Sequence, residues 1–261
     1  MRVGVVILTK GKVPYLTQCL KSIIQQTKKT EYTVYIGDTG STSEELQEIV
    51  QFLTNSFPNK NGKLIQLERY NFARNNNTII NQYVTEPLVL LCNNDIKLID
   101  NCIDKVVEIH KKEKNVGTIG CRLIFENGTV QHAGQIMWTN NRDMLEITHR
   151  GLGTTEKFKD IEKVVGNTGG FMLISKKLFK ELGEFNTNYS ECFEDVELNM
   201  KCILNGYTNY YTDSVSAYHY ESTTRTKEPD AIDRLKLDYT MNLYPFFRQL
   251  THEQQQLLLE I

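Results

Sequence analysis

The sequence lacks a long apolar run, and this absence sets the first limit on what the chain does. None of its 261 residues belong to a run that approaches the roughly 20 apolar residues of a membrane-spanning helix. The run over 3–8 breaks into Lys-Gly-Lys at 10–12 without a cleavage-site pattern, so it is interpreted as a buried strand and not as a signal peptide. We expect a cytoplasmic protein, with peripheral contact at the inner face of a membrane left open.

Cysteine and net charge are also sparse. The six cysteines are scattered, without a C-x-x-C pair and at too low a density for a disulfide scaffold, which favours a reducing compartment. The formal net charge of -2 gives no long-range attraction to polyanions, so a nucleic-acid partner is not expected.

Two common nucleotide-binding motifs are missing as well. The chain contains no G-x-G-x-x-G fingerprint and no P-loop, so neither a nicotinamide cofactor nor P-loop hydrolysis has support from a motif. The glycines of 166–170 stand before the apolar run Phe-Met-Leu-Ile at 171–174, where they either let the backbone approach a ligand or form a bulge.

Short apolar runs alternate with helical patterns over the first half of the chain. This order is typical of strand-helix-strand units on a mostly parallel sheet, so the predicted class is α/β. Ser41 and Glu44 have the spacing of a capping box before the second helix. The predicted elements are strands over 3–8, 33–36, 63–67 and 88–92, and helices after 14, after 41 and over 71–84.

The second half of the chain has a weaker pattern. The stretch 126–161 is polar, glycine-rich and weakly periodic, so it is predicted to be irregular, either a functional loop region or a disordered segment. The other predicted elements are strands over 116–121, 164–175 and 207–218, a helix over 195–205 that ends at Gly206, and terminal helices from 230 onward.

Polar side chains follow three of the early strands. Ligands of open α/β sheets bind beyond the carboxyl ends of the strands, where Thr9, Asp38 and the triplet 93–95 are expected. Asp38 suits a base N–H or a ribose hydroxyl, and a turn or N-cap role fits it equally well. Asp95 suits a hard cation held against a diphosphate, because Mg²⁺ or Mn²⁺ typically keeps only one or two protein carboxylates. Taken alone, the triplet is also a common turn sequence.

Acidic residues also cluster at the start of the helix predicted over 195–205. Glu191, Glu194, Asp195 and Glu197 lie where the helix dipole favours negative charge, so capping is one interpretation. The other is that a carboxylate there acts as a general base toward a hydroxyl.

Two histidines are candidates for the same site. A lone histidine is more often structural, but His219 follows a strand-like stretch and its pairing with Asp95 favours a metal-ligand role. His132 lacks such a partner and is kept as a candidate acceptor-site residue.

An ordered series of segments carries a family resemblance. Its members are VVILTK (5–10), LTQCLKSIIQQT (16–27), DTGSTS (38–43), NFARNNN (71–77), LLCNND (90–95), GGFMLI (169–174), GEFN (183–186), FEDVEL (193–198) and HYESTTR (219–225). In this order they resemble the family 2 glycosyltransferases, a large group with the GT-A fold, over nearly the whole catalytic region.

The resemblance implies a single Rossmann-like nucleotide-binding sheet of mostly parallel strands, merged with an acceptor-binding half. The catalytic domain would span 1–225, with a nucleotide-sugar half over 1–98 and an acceptor half over 99–225. Residues 226–261 would form a C-terminal helical extension. The implied reaction is an inverting transfer of a sugar from a nucleotide-sugar, with a UDP-sugar favoured, to a glycan hydroxyl, assisted by Mn²⁺ or Mg²⁺.

Site roles also follow from the resemblance, position by position. Asp195 would be the catalytic base, and Glu194 would orient the acceptor. Asp95 and His219 would hold the metal. The residues implied to line the nucleotide-sugar pocket are Thr9, Asp38, Asn75, Asn94 and Asp95.

Two departures and two alternatives accompany this prediction. Asn93 stands where many relatives carry the first carboxylate of an Asp-x-Asp motif, and Glu197 stands where they often carry aspartate. One alternative is a degenerate GT-A protein that binds nucleotide-sugar without turnover, which the joint presence of Asp95, Asp195 and His219 disfavours. The other is a sugar nucleotidyltransferase, for which the segment 9–12 is too short a match. The acceptor stays open among polysaccharide, lipid-linked glycan, protein and modified nucleobase.

Overall fold

The computed structural model describes residues 1–57, 60–190, 192–220 and 231–261. Within these residues the strands are β1 (Val3–Thr9), β2 (Tyr32–Asp38), β3 (Gly62–Gln66), β4 (Leu88–Cys92), β5 (Ile96–Leu98), β6 (Val116–Ile124), β7 (Val130–His132), β8 (Gln135–Thr139), β9 (Leu145–His149), β10 (Ile161–Lys163), β11 (Phe171–Ser175) and β12 (Thr208–His219).

The helices surround these strands. They are α1 (Val13–Gln26), α2 (Ser43–Ser56), α3 (Phe72–Gln82), α4 (Cys102–Lys112), α5 (Lys176–Glu181), α6 (Glu194–Leu204), α7 (Ala231–Asp238), α8 (Tyr244–Gln249) and α9 (His252–Leu259), with a π-helical turn (Tyr239–Leu243) between α7 and α8. Among the residues described, every helix is too short or too polar to span a bilayer.

One large sheet organises the chain, with the main strand order β10-β12-β6-β11-β4-β1-β2-β3. Strands β3, β2, β1 and β4 are parallel, and β6 pairs in parallel with β12, which confirms the predicted α/β sheet of mostly parallel strands. Strand β11 runs antiparallel between β4 and β6, with Phe171 opposite Cys92. The start of β11 therefore lies beside the carboxyl end of β4.

Helices cover both faces of this sheet because alternate strand residues point to opposite sides. On one face Ile7 is buried with residues of α1, α2 and α4, and on the other Val6 is buried with residues of α3, α5 and α6. A third cluster buries Met137 and Leu145 of the β8–β9 hairpin against α6 and the C-terminal helices, including Phe247. The C-terminal segment thus packs directly on the half of the molecule that carries α6.

The predicted capping box at Ser41 and Glu44 is wrong by one residue. The N-cap of α2 is Thr42, whose side chain accepts from the Glu45 N–H while the Glu45 carboxylate accepts from the Thr42 N–H. Ser41 is unavailable for the cap because its hydroxyl donates to the carboxylate of Asp38.

The prediction of an irregular region over 126–161 is also wrong. The segment contains β7 and the antiparallel hairpin of β8 and β9. The hairpin has one buried and one exposed face, but its strands are five residues long, so the period-two pattern is short. Conversely, the strand predicted over 164–175 begins only at Phe171, because Asn167 turns into a buried polar cluster with Thr118 and the Tyr210 carbonyl.

Asp104 fixes the turn between α1 and β2. Its carboxylate accepts hydrogen bonds from the backbone N–H groups of Lys28 at 2.8 Å, Lys29 at 3.1 Å and Thr30 at 2.8 Å. Burial alone would raise the pKa of Asp104, but these hydrogen bonds outweigh it and lower the pKa below the ordinary aspartate value.

We expect Asp104→Ala to lower the free energy of unfolding at pH 7 by roughly 2 kcal/mol, because three N–H groups lose a charged acceptor. A folded-state pKa below the unfolded value means that this stabilisation is present at neutral pH and is lost as the pH falls through the folded value. Denaturant unfolding from pH 7 to pH 3 measures the effect. The gap between wild type and variant is expected to narrow below about pH 4, and a gap that stays constant would contradict the assigned cause.

Candidate active site

Polar residues from the ends of three strands meet at one edge of the sheet. Thr9 and Asp38 are register partners at the ends of β1 and β2. The side-chain amide of Asn94, just beyond β4, donates to the Thr9 hydroxyl at 3.0 Å. All three residues are almost fully buried. The structure therefore brings Thr9, Asp38 and Asn94 to the edge where ligands of parallel sheets bind.

Asp38 shapes its own turn. Its carboxylate accepts from the Gly40 N–H at 3.3 Å and from the N–H and hydroxyl of Ser41. The turn role is present and the N-cap role is not, since Thr42 caps the helix. A carboxylate offers about four acceptor positions, so these bonds leave capacity for a ligand.

Asn75 is engaged in the loop before α3. Its carbonyl oxygen accepts from the Asn71 N–H at 3.1 Å, and its amide nitrogen donates to the Arg69 carbonyl at 3.1 Å. Asn71 in turn caps α3 by accepting from the Arg74 N–H at 2.7 Å. Both ends of the Asn75 side chain thus hold this loop in shape.

Asp95 and His219 lie side by side. Strand β5 follows Asp95 directly and pairs with the end of β12, where Ile96 faces His219. The Nε2 atom of His219 is 3.3 Å from Oδ1 of Asp95 and 3.2 Å from Nδ2 of Asn93. The Tyr220 N–H also donates to the Asp95 carbonyl at 3.1 Å, which closes the strand ends around the pair.

This pair fits a divalent cation that is shared with a ligand. A carboxylate oxygen suits Mn²⁺ and Mg²⁺, and neutral imidazole is the commonest metal-binding side chain in proteins. Over the described parts of the chain, no group of three or more His, Cys, Asp or Glu side chains is placed to hold a metal. A hard cation at a phosphate site takes most of its ligands from phosphate and water, so two protein donors are sufficient.

Asp195 stands in the first turn of α6. Phe193, the N-cap residue of α6, has a φ of 77°. This left-handed conformation is rare for a residue other than glycine, and here it turns the backbone into the helix. The Asp195 carboxylate accepts from the Gly169 N–H at 2.7 Å and from the Val196 N–H at 2.8 Å. Asp195 is partly exposed, whereas Glu194 is buried.

Two consecutive glycines connect Asp195 with the Asp95–His219 pair. A Cβ atom on Gly169 would lie 2.9 Å from the Phe72 ring and 3.7 Å from Cβ of Asp195. A Cβ atom on Gly170 would lie 3.4 Å from both Nδ2 of Asn93 and Cε1 of His219. Consecutive Cα atoms are about 3.8 Å apart. Asp195 and His219 therefore adjoin neighbouring positions of one backbone segment, and the glycines allow this close approach.

The sequence and the fold have counterparts among known proteins. A family model described as glycosyl transferase family 2 matches residues 4–183. The chain belongs to this family. The family 2 resemblance of the sequence motifs is therefore confirmed.

Individual relatives of this family 2 glycosyltransferase are distant. The O-antigen biosynthesis protein RfbC of Myxococcus xanthus is 25% identical over 238 residues, covering 86% of this chain but 18% of that protein. An uncharacterised protein of Sinorhizobium fredii, y4gI, is 24% identical and is covered over 27% of its length. The chain thus spans less than a third of these curated relatives.

Solved structures show the same fold. A fragment of S. aureus TarS in complex with UDP-GlcNAc has a TM-score of 0.67 at 19% identity, covering 99% of this chain and 70% of that one. The mannosyltransferase PcManGT from Pyrobaculum calidifontis, in complex with GDP-Man and Mn²⁺, has a TM-score of 0.68 at 15% identity, covering 98% and 67%. The fold of this family 2 glycosyltransferase is GT-A.

His132, the candidate acceptor-site residue, presents no exposed surface to an acceptor. It is fully buried, its Nε2 accepts from the Thr168 N–H at 3.4 Å, and its ring packs edge-on against His149 at 4.7 Å. Burial holds the pKa of His132 well below its ordinary value, so the ring is neutral at pH 7. The neighbouring Gln131 reaches the site instead, with Oε1 2.6 Å from Nδ1 of His219. Adjacent strand residues point to opposite faces of the sheet, and the sequence did not show which of these two side chains faces His219.

Two further acidic residues of the glycosyltransferase support the frame around α6. Glu197 is buried and pairs with Lys201 at 2.7 Å and with the Asn186 amide at 3.0 Å, so it holds the turn before α6. Asp238 accepts from the N–H of Ser190 at 2.9 Å and from that of Cys192 at 3.2 Å. No sequence signal marked Asp238, because its partners are distant in the chain.

Some predicted positions cannot be placed. Glu191 of the acidic cluster and residues 221–225 of the closing histidine segment lie outside the described residues.

Proposed function

We propose that the chain is an inverting glycosyltransferase that moves a sugar from a nucleotide-sugar to a glycan hydroxyl with the help of Mn²⁺ or Mg²⁺. The observation that carries the proposal is the Gly169–Gly170 segment, which adjoins Asp195 at one residue and His219, the neighbour of Asp95, at the next. A direct displacement needs a base for the attacking hydroxyl and charge stabilisation for the departing diphosphate, and this segment sets the two side by side.

The donor is proposed to bind in the half formed by residues 1–98, and the acceptor in the half formed by 99–225. Thr9, Asp38, Asn94 and Asp95 supply polar groups at the donor edge, and Asn75 supports the adjoining loop. A UDP-sugar is favoured because the TarS fragment was solved with UDP-GlcNAc, and the GDP-Man complex of PcManGT makes a GDP-sugar the second choice.

Asp95 and His219 are the residues that would hold the cation. A bound divalent ion neutralises charge that develops on the leaving nucleoside diphosphate. The arrangement has less negative charge than an Asp-x-Asp pair, because Asn93 supplies an amide next to His219.

Asp195 is the proposed base. As the acceptor oxygen attacks the anomeric carbon, its proton passes to the Asp195 carboxylate, and the bond between that carbon and the diphosphate oxygen breaks with its electrons on the diphosphate. Attack from the side opposite the leaving group inverts the anomeric configuration. The hydrogen bond from Gly169 to Oδ2 fixes the carboxylate, and Glu194 is proposed to orient the acceptor.

A panel of UDP-, GDP- and dTDP-sugars tests this proposal, each with Mn²⁺, with Mg²⁺ or with a chelator. One donor at about 100 times its dissociation constant is expected to stabilise the protein by about 2.7 kcal/mol, which raises the unfolding midpoint by about 5–10 °C. This rise in the unfolding midpoint is expected only in the presence of metal. Slow release of nucleoside diphosphate is expected under the same conditions. The anomeric configuration of the product, measured by NMR, tests inversion.

Other outcomes of the same panel separate the alternatives. A metal-dependent shift without release of nucleoside diphosphate, with water or with glycan acceptors, favours the degenerate binding protein. In a separate assay with a nucleoside triphosphate and a sugar phosphate, release of pyrophosphate identifies a nucleotidyltransferase. No shift with any donor, with or without metal, contradicts the proposed function.

A further inference from the structure

A buried amide holds the ring and the backbone of His219 together. Oε1 of Gln131 is 2.6 Å from Nδ1 of His219, and Nε2 of Gln131 donates to the His219 carbonyl at 3.5 Å. Gln131 lies on β7, which pairs with β6, and is 2% exposed. Bulk water therefore does not compete for the contact, and the amide orientation is set by two bonds to one residue.

These two bonds determine which ring nitrogen of His219 carries the proton. An amide oxygen only accepts hydrogen bonds, so the Nδ1 atom that faces it must be the donor. In the neutral ring the other nitrogen, Nε2, then presents its lone pair. Fixing one imidazole nitrogen through a hydrogen bond on the other is the usual way in which proteins orient a histidine that binds metal.

The lone pair of Nε2 faces the Asn93 amide and the Asp95 carboxylate, and the candidate cation position lies beside these groups. Nδ2 of Asn93 lies 3.2 Å from Nε2, and Oδ1 of Asp95 lies 3.3 Å from it. An unprotonated nitrogen and a carboxylate oxygen at this separation repel each other unless a positive charge is shared between them. A divalent cation bound to both atoms removes this repulsion.

From these contacts we infer that Gln131 is a positioning residue for the cation site, holding His219 in the Nδ1–H tautomer with Nε2 directed at Asp95. The inference rests on the proposed function, since it concerns the metal of that site. Gln131 is assigned to act through His219 and not as a ligand of the cation itself.

Mn²⁺ binding to the whole protein, followed by the EPR signal of free Mn²⁺ without any sugar donor, tests the inference. Gln131→Leu is expected to weaken Mn²⁺ binding by about 10–100-fold. Gln131→Glu keeps an oxygen that accepts from Nδ1–H, so its affinity is expected to stay within about threefold of wild type or to increase. Equal weakening in both variants, or none in Gln131→Leu, would overturn the inference.

Gln135→Leu is the matched control. Gln135 is also a buried glutamine, four positions along the chain, and its Oε1 has no hydrogen-bond partner within the described residues. The same substitution there is expected to leave Mn²⁺ affinity within about twofold of wild type, and thermal unfolding of all variants reports whether they fold. Weakening by Gln135→Leu equal to that by Gln131→Leu would assign the effect to packing and contradict the inference.

A second measurement needs no metal. Nitrogen-15 NMR of histidine-labelled protein distinguishes the two tautomers, and the five histidines can be assigned by substitution. Wild-type His219 is expected to be the Nδ1–H form, and Gln131→Leu is expected to convert it to a mixture. A wild-type ring protonated on Nε2 alone contradicts the inference while leaving the proposed function standing. Absence of Mn²⁺ binding to wild type, with or without UDP, contradicts the metal site and the inference together.

Discussion

An Asp195→Asn variant is expected to turn over about 10²–10⁴-fold more slowly than wild type, because its amide cannot accept the proton of the acceptor hydroxyl. In the wild type the Asp195 carboxylate accepts hydrogen bonds from the N–H groups of Gly169 at 2.7 Å and Val196 at 2.8 Å. Asparagine is nearly isosteric and retains one oxygen that can accept one of these bonds. Loss of one of these bonds costs about 1 kcal/mol, or about 2–4 °C in the unfolding midpoint. Metal-dependent donor binding is expected to persist.

Release of nucleoside diphosphate from the donor identified by the panel measures this prediction. Glu194→Gln is the companion variant at the same helix start, and it is expected to raise the KM for acceptor more than it lowers kcat. Turnover of Asp195→Asn within tenfold of wild type would remove the base from the proposed mechanism. Loss of donor binding in that variant would show that Asp195 supports the donor site and is not a base alone.

The meeting of Thr9, Asp38 and Asn94 at one edge of the sheet could be predicted from the sequence because it depends on local features. Thr9, Asp38 and Asn94 each follow a short apolar run, and the alternation with helices makes those runs parallel strands that end at one edge. No knowledge of distant pairing was needed. The same local logic failed by one residue at Ser41, because a side-chain contact to Asp38 competed with the capping box.

The contacts that place Gly169 and Gly170 beside Asp195 and Asn93 could not be predicted from residue patterns. The sequence of β11 does not indicate that this strand runs antiparallel between β4 and β6. This position of β11 in the sheet brings Gly170 next to Asn93. The link between Asp195 and Gly169 likewise joins residues that are 26 positions apart. The family resemblance grouped these residues by role, whereas their contacts depend on the order of strands in the sheet.

The hairpin and the C-terminal segment show why the stretch 126–161 was predicted least well. Met137 and Leu145 are buried in a cluster that includes Phe247, about 100 positions later, so their burial depends on contacts that the local sequence does not show. Gln131 and His132 posed a different problem. Both are polar residues of one short strand, and only its pairing with β6 decides which side chain reaches His219.

Removal of the Asp95 carboxylate has the second large expected effect. Asp95→Ala is expected to abolish the metal-dependent shift in unfolding midpoint with donor and to lower turnover by roughly 10²-fold or more, because the leaving diphosphate loses charge stabilisation worth several kcal/mol. Because Asp95 is only 3% exposed, its substitution could also destabilise the fold, so thermal unfolding without donor is the control for folding. Full metal dependence in Asp95→Ala would contradict its role as a ligand.

Asn93→Asp is the converse of Asp95→Ala, because it adds a carboxylate to the same site. Its Nδ2 lies 3.2 Å from Nε2 of His219, so aspartate there adds a negative charge beside the same cation position. A unit charge at about 4 Å contributes about 1–4 kcal/mol at the effective dielectric constants of water and of protein surfaces, so Mn²⁺ affinity is expected to rise about tenfold. Tighter binding in Asn93→Asp together with loss in Asp95→Ala would locate the cation between the two positions. If neither substitution alters Mn²⁺ binding, Asp95 and His219 do not hold the ion, and the charge of the leaving diphosphate must be stabilised by other groups at the donor edge.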